Sequence, residues 1–539
     1  MLNSPQTKNR SFWLKLTLVV LAVGVVLLIV FRSQTWRESW FAFLERNFRV
    51  DLSMSGAVAD CSSLTDVAAH NPPAIPSRPA FRQEYKDPTF GACVTRVTDV
   101  AQHGADGVHD YSELQAWNAD QSKILLQNGK IIDAGTSAVV RDVDFGYPEG
   151  GSGLRWSPTD PNVLYYVGQK VSSGTSWVTN CPATAARLVK YTLPAGTREL
   201  VGCFPEYVRF DKNRSFQSLS MDGRFIALVG SPRNGAACEG STACEVFLYD
   251  LVNKAKAALL SIPGGTYLEW VEPSPMGNYL LVNYGEGGEC SRCGVVSYDR
   301  TGNRVGQLAT GHGHGSTALG PDGTEWYVVD GFSTSYAPGG NQPQILKARI
   351  PKGYDQWKAG DGSGYVSLLK EDWGTNQHIS CKTPRSEWCV VGTYAMGSPG
   401  VPFYHEVFRL SLNSTATNPK VERLVHHYSD YNFASNCAGL GGGYWAQPHA
   451  STSPDGSKII FGSTWGQVCR AEAYVIRLTG TAPPPANTAD LNADGRVDVI
   501  DLGILLSAWG QTSKPKSDIN QDGRVDVVDL GILLSAWTI

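Results

Sequence analysis

The chain has 539 residues, including 57 glycines and 30 prolines, and a net charge of −4. That length is enough for several domains, and so many turn formers, with 10% aromatics, favour a β-rich body over a helical one. The small charge argues against a nucleic-acid binder, and it is local: from Thr488 onward eight aspartates face four Lys/Arg, so everything before the tail sums to zero.

Residues Leu16 to Phe31, "LTLVVLAVGVVLLIVF", carry no charge. With Phe12–Leu14 in front, the segment approaches the ~20 residues that span a bilayer as a helix. A cleaved signal peptide is the rival reading, but the small-residue triplet "AVA" lies only at 57–59, far downstream. The expectation is a short cytoplasmic N-terminus (1–11) and a transmembrane signal anchor (12–31). Lys/Arg on both flanks leave the positive-inside rule undecided. Residues 32–54 follow as a juxtamembrane amphipathic segment in which Trp36, Trp40, Leu44 and Phe48 share a helical face. That face suits either the membrane interface or packing on the main domain.

Twelve cysteines, an even count scattered through a large body, point to disulfides and an oxidising compartment. Pairing between nearest neighbours is expected for most of them. Cys290-Ser-Arg-Cys293 also admits a redox-active pair or half a zinc site, although no second CxxC completes the latter. The bulk of the chain is therefore expected outside the cytoplasm, at the cell surface, on a single-pass anchor.

Between about 80 and 480 one pattern returns seven times: a turn around Pro or Asp-Gly, followed by an alternating or fully apolar run. It reads "WNADQSKILLQ" (117–127), "WSPTDPNVLYYV" (156–167), "LSMDGRFIALVG" (219–230), "PSPMGNYLLVNY" (273–284), "LGPDGTEWYVVDG" (319–331), "KTPRSEWCVVGTY" (382–394) and "TSPDGSKIIFGS" (452–463). Several copies are followed by a further strand-like run, such as "VFLYDLVN" (246–253). Strand, tight turn, strand and further strands make a four-stranded propeller blade. The fold class is all-β, a propeller of about seven blades over 55–478, with six or eight as alternatives. "SPDGSKIIFGS" resembles the repeat of Tol-type periplasmic propellers, which implies the fold and not the function. The prolines of "TGTAPPPANT" then mark a stiff linker, 479–488.

The tail, 489–539, repeats itself: "DLNADGRVDVIDLGILLSAW" from Asp490 and "DINQDGRVDVVDLGILLSAW" from Asp518. Each copy fits an EF-type calcium loop. Side-chain ligands would be Asp490, Asn492, Asp494, Asp498 and Asp501 in the first, and Asp518, Asn520, Asp522, Asp526 and Asp529 in the second. Arg496 and Arg524 would offer backbone carbonyls, and Gly495 and Gly523 allow the sharp turn. Two Ca²⁺ ions are expected. Position 12 is Asp where the usual EF-hand has Glu. One helix follows each loop and none precedes it, so the module resembles the dockerin family. That resemblance implies docking to a cohesin-like partner through loop positions 10 and 11. These are Val499-Ile500 and Val527-Val528, apolar where many dockerins carry hydroxyl pairs. An intramolecular clasp is the competing use of these apolar residues.

Histidine is scarce, ten in all, yet His312 and His314, His378, and Gln447 with His449 each lie 5–9 residues ahead of a turn proline. In a propeller those places begin innermost strands, beside the channel. Imidazoles with an amide oxygen suit a divalent metal such as Mn²⁺ or Zn²⁺. His426 and His427 are candidates to join from a neighbouring loop. The set His314, His378, Gln447 and His449 resembles the metal-dependent oligogalacturonate lyases. It departs from them where Gln447-Pro448-His449 holds one histidine and the family carries two. That resemblance implies a metal neutralising a uronate carboxylate, with His312 as the base that removes the acidified proton.

Three functions remain open. The first is a surface-displayed assembly protein whose propeller recognises a glycan or protein and whose tail docks a cohesin-like partner. The second is a metal-dependent polysaccharide lyase on the same frame. The third is a structural envelope protein.

Overall fold

The structure is a computed structural model. It describes residues 61–104, 107–143, 153–168, 180–182, 185–211, 219–232, 243–311, 313–331, 338, 342–372, 376–384, 386–394, 399–430, 441–466 and 470–478, and in the tail 491, 497, 499–511, 517–519, 524–526, 529–530 and 533. The expected anchor, the juxtamembrane segment and the linker lie outside these residues. Among the described residues no helix is long and apolar enough to cross a membrane.

Strands fold into seven antiparallel sheets. Blade 1 holds Lys123–Leu125, Lys130–Asp133 and Val139–Asp142, with Trp117 bridging Ile124 on its inner edge. Blade 2 holds Arg155–Trp156, Val163–Gly168, Ala186–Thr192 and Thr197–Phe204. Blade 3 runs from Tyr207–Phe210 to Ala255–Ile262, blade 4 from Leu268–Pro273 to Arg304–Ala309, blade 5 from Gly315–Leu319 to Tyr365–Lys370, and blade 6 from Gln377–Ser380 to Val421–His426. The chain is a seven-bladed β-propeller.

The Asp-Gly turns form for local reasons. In "SPDGS" the Asp455 carboxylate accepts from the Ser457 amide at 2.7 Å and from the Ser453 hydroxyl at 2.6 Å, and the Ser453 hydroxyl in turn accepts from the Lys458 amide at 3.0 Å. Gly456 sits at φ 72°, a left-handed conformation that costs a glycine little. The runs that follow are apolar on both faces because blades stack face to face. Phe225, Ile226, Ala227, Leu228 and Val229 are all buried, so strict alternation is absent. Each gap between consecutive blades carries its own apolar cluster. Leu188 meets Leu228 between blades 2 and 3, for example, and Val328 meets Val391 between blades 5 and 6.

Blade 7 closes the ring. Ser451–Thr452, Lys458–Ser463 and Glu472–Arg477 come from the C-terminal end of the propeller, and Cys93–Arg96 and Glu84–Lys86 come from its beginning. Cys93 pairs with Arg477, and Arg96 with Tyr474. Trp117 and Ile132 of blade 1 pack on Ile460 and Ala473 of blade 7, and Val390 of blade 6 packs in the cluster of Ile459 and Phe461. A charged clasp reinforces the seam. Buried Glu472 binds Arg78 at 2.9 Å, lies 3.6 Å from the Arg96 Nε, and accepts from the Val100 amide at 3.2 Å.

Four of the expected nearest-neighbour disulfides are formed: Cys61–Cys93, Cys181–Cys203, Cys290–Cys293 and Cys381–Cys389. Cys238, Cys437 and Cys469 lie outside the described residues. Replacing Glu472 with Ala takes away the carboxylate that holds Arg78 and the Val100 amide, while Arg96 keeps Asp99 at 2.6 Å. The expected cost is roughly 1–3 kcal/mol, read as a lowered denaturant midpoint with an unchanged slope.

Candidate functional site

Inner strands all begin on the side of the ring opposite the Pro/Asp-Gly turns. Three of them bring the predicted histidines together. His314 immediately precedes the inner strand of blade 5, His378 lies within that of blade 6, and His449 stands just ahead of that of blade 7, after a 3-10 turn at Gly441–Ala446. The ring centroids of His314 and His378 are 4.4 Å apart, and those of His378 and His449 are 4.2 Å apart. Gln447 completes the group: its Oε1 accepts from His378 Nε2 at 2.7 Å.

Sequence reasoning missed several neighbours. His109 donates from Nε2 to the His449 carbonyl at 2.7 Å. The Tyr111 ring lies 5.1 Å from His378 and 5.3 Å from His449. Tyr394 stacks on His378 at 4.8 Å, and Tyr444 lies 4.8 Å from His449. His109 and Tyr111 precede Trp117 and the first blade turn, "WNADQ", which contains no proline. Counting back from a turn proline therefore skips them, whereas counting back from every blade turn would have found them.

Each imidazole is oriented by an oxygen. His314 Nδ1 donates to the Gln377 carbonyl at 2.9 Å and His449 Nε2 to the Tyr444 carbonyl at 2.9 Å, while His378 and His109 make the bonds given above. A ring nitrogen that donates leaves the other with a lone pair. The Nδ1 atoms of His378, His449 and His109 are buried and have no hydrogen-bond partner. Burial pushes the His378 pKa well below its usual range, with His449 and His314 adding to the effect. Burial likewise lowers His449 to about 3 and His109 to about 4. His378, His449 and His109 are thus neutral at physiological pH, the state a metal ligand needs. His449 also sits at φ 41°, an unusual backbone for a residue with a side chain. It is held there by His109 on its carbonyl and by the Gly462 amide on the Pro448 carbonyl at 2.8 Å.

Unpaired, neutral, carbonyl-anchored imidazole nitrogens beside an amide oxygen fit a divalent cation chemically. Among the described residues only Cys61, Cys93 and Glu84 bring three ligand atoms within 4.8 Å of one another, and their sulfurs are joined to each other and offer no thiolate; the imidazole nitrogens stand farther apart than that and would have to draw together around an ion. A cavity at the turn end of the channel is lined by Glu113, Trp117, Arg155, Trp156 and Lys382, with Pro158, Pro384 and Pro454 from the turns. Its walls are mainly apolar, and the ammonium of Lys382 is held by Glu272 at 3.0 Å. Glu113 Oε2 in this cavity is buried without a partner, and the unpaired imidazole nitrogens stand at the opposite end of the channel.

His426 and His427 do not join the cluster. Val421–His426 is the outermost strand of blade 6, away from the channel. His427 is occupied at both nitrogens: Nε2 donates to the Thr393 carbonyl at 2.7 Å, and Nδ1 accepts from the Ser429 amide at 3.0 Å. His426 bonds the His70 carbonyl at 3.1 Å beside the buried pair Arg423–Glu406. Predicted His312 lies outside the described residues.

In the tail, Val499–Ser507 is a helix, and the two halves share one apolar cluster of Leu491, Val497, Leu505, Ile519, Val525 and Leu533. The repeat is visible in its hydrogen bonds. Asp501 accepts from the Leu491 amide at 2.7 Å, and Asp529 accepts from the Ile519 amide at 2.7 Å. Asp501, Asp518 and Asp529 are buried, Asp526 is half-buried and the Arg524 side chain is exposed. Asp490, Asn492, Asp494, Arg496, Asp498, Asn520 and Asp522 lie outside the described residues, as do Val527, Val528 and the Ile500 side chain. Val499 is 69% exposed on the helix's first turn. Residues 488–536 match the family model of the dockerin type I domain.

The tail is a dockerin. Dockerin domains bind calcium and dock to cohesin partners. No curated protein matches the chain. Among solved structures, an oligogalacturonate lyase in complex with manganese superposes with a TM-score of 0.50 at 15% identity, covering 77% of this chain and 99% of its own. An oligogalacturonate lyase from Vibrio parahaemolyticus superposes with a TM-score of 0.50 at 13% identity, covering 74% and 97%. At such identities the likeness is one of fold.

Two predictions follow from this geometry. Burial lowers the His426 pKa to about 4, below the ~6.5 of an unfolded chain. Its contribution is fully present above pH ~6.5 and is lost as the pH falls toward 4, because the unfolded state then binds the extra proton. The urea midpoint should drop through that window, and His426→Gln should remove up to about 3 kcal/mol of the pH dependence. In the dockerin, chelating calcium with EGTA should reduce helical circular dichroism and change the fluorescence of half-exposed Trp509, leaving the propeller transition in place.

Proposed function

We propose that this protein is a cell-surface component of a cohesin–dockerin assembly whose propeller grips an anionic polysaccharide through a divalent metal. The observation that carries the reading is the set of oriented, neutral imidazoles at one mouth of the channel, with unpaired nitrogens on His378, His449 and His109. His314, His378, Gln447 and His449 would hold the metal, and His109 is a candidate fifth donor. When bound, the metal supplies a positive centre for a uronate carboxylate. Tyr111, Tyr394 and Tyr444 supply aromatic faces around it, suited to sugar rings. The dockerin would couple this site to its partner through the Val499-Ile500 and Val527-Val528 pairs, with two Ca²⁺ ions ordering the loops. The anchor at 12–31 would hold the chain at the membrane.

Lyase chemistry is the second reading. It is favoured by the solved lyase in complex with manganese, which shares the propeller fold. His312 would remove the proton next to the uronate carboxylate. A purely structural envelope role would leave the unpaired nitrogens without a use.

Elemental analysis of the full chain after incubation with manganese tests the proposal. The expected outcome is about one transition metal per chain, lost in His378→Ala/His449→Ala while calcium content is unchanged. Equal metal in the wild type and the variant would remove the site. Uronate polymers then separate the two readings: metal-dependent retention without cleavage supports recognition, and unsaturated products support the lyase.

A further inference from the structure

The segment 285–293 joins the second strand of blade 4 (Tyr279–Tyr284) to the third (Gly294–Asp299). It therefore stands on the same side of the ring as the imidazole cluster. It contains the Cys290–Cys293 disulfide, which differs from the other three among the described residues in two ways. Its cysteines are 3 residues apart, against 8, 22 and 32. Closing so short a loop removes little entropy from the unfolded chain, so the bond gains least from that source. Access differs too. Cys290 is exposed and Cys293 buried, whereas Cys61, Cys93, Cys381 and Cys389 are all buried and Cys181 and Cys203 are half-buried. An attacking thiolate must reach a sulfur, and here it can.

The loop also keeps its shape without the bond. Gln307 Nε2 donates to the carbonyls of Gly288 at 2.9 Å and Cys293 at 2.8 Å. The Gly288 amide donates to the Thr310 carbonyl at 2.8 Å, and the Gly294 amide to the Glu286 carbonyl at 2.7 Å. Glu289 is paired with Lys358 at 2.6 Å. Breaking the disulfide therefore needs no wider unfolding. An exposed cysteine followed three residues later by a buried one suits attack at the first and departure of the second.

We propose that Cys290–Cys293 is a thiol–disulfide exchange site, opened by dithiols and re-formed by their oxidised, disulfide forms while the other three bonds named above persist. A thiolate of the dithiol attacks Cys290 Sγ. The protein disulfide breaks, and Cys293 leaves as a thiolate and takes up a proton. The second thiol of the reductant then displaces Cys290 and closes the reductant's own disulfide. Two electrons and two protons pass to the protein, and the reverse sequence restores the bond. This inference stands apart from any metal at the imidazole cluster.

The test is graded dithiothreitol on the full native chain, followed by alkylation and peptide mapping. Cys290 and Cys293 should be alkylated at a reductant concentration at least about tenfold below that which opens Cys61–Cys93 or Cys381–Cys389. Opening of all four bonds together, or survival of Cys290–Cys293 beyond the others, overturns the proposal. Single variants check the direction of attack. With oxidised glutathione, Cys293→Ser should form a mixed disulfide at Cys290 faster than Cys290→Ser forms one at Cys293; equal rates would overturn the assignment of Cys290 as the attacked sulfur.

Discussion

Ring closure is the constraint on which the rest depends. A blade buries both its faces, so each sheet needs a neighbour on either side, and only a closed ring supplies one for the first and the last. Blade 7 meets that need by joining Cys93–Arg96 to Glu472–Arg477. The seam is reinforced beyond its ladder. Glu472 gathers Arg78, Arg96 and the Val100 amide, and the Cys61–Cys93 disulfide fastens the chain ahead of the closing strand. Arg423, fully buried between the rings of Phe90 and Phe403, binds Glu406 and the Ala68 carbonyl, which pins the leading segment onto blade 6. Such pairs add little to a stability ledger when replaced by apolar residues, yet removing one partner is costly. Their value here is in fixing where the chain begins its circuit.

Closure also creates the site. Three inner strands that are far apart in the sequence start side by side only because the sheets are arranged radially. His314, His378 and His449 come from three successive blades, and His109 enters from the segment leading into blade 1, so the closing seam lies between His449 and His109. The carbonyls that orient the rings come from the neighbouring chain segments. Packing the imidazoles against one another and against Tyr111 then excludes water, and exclusion of water keeps them neutral. Fold, orientation and protonation state follow from one arrangement.

The propeller was legible because its turns are chemically explicit. A serine, a capping aspartate and a glycine free to adopt positive φ leave a local record in several blades, as Ser453, Asp455 and Gly456 do. The convergence of His314, His378, Gln447 and His449 was legible for the same reason, since their distance from a turn fixes their place on an inner strand. His109 escaped because the first blade turn is built on Asn118 and Asp120 without proline. His426 and His427 misled for the opposite reason. A histidine pair looks like ligands in a sequence, but nothing local distinguishes an outermost strand from an innermost one. That distinction comes from ladder order, and ladder order is set by contacts between residues distant in the chain. In the tail the repeat itself made the pattern readable, and the paired bonds of Asp501 and Asp529 are its structural counterpart.

The unpaired nitrogens point to a use beyond stability. A buried polar atom with no partner costs roughly 1–3 kcal/mol, and a propeller can line its channel with apolar side chains or with histidines bonded at both nitrogens, as His427 is. Three Nδ1 atoms, on His378, His449 and His109, are buried without a partner on the strand-start side of the ring, with His449 in a backbone conformation that costs more still. His427 is bonded at both nitrogens, but its neighbour His426 on the outermost strand of blade 6 also keeps a buried, unpartnered Nδ1, so an unpaired nitrogen by itself does not mark a site. What sets His378, His449 and His109 apart is convergence: they reach the strand-start mouth of the channel from different parts of the chain, with Gln447 Oε1 beside His378, and that convergence is the ground of the proposed ligand site.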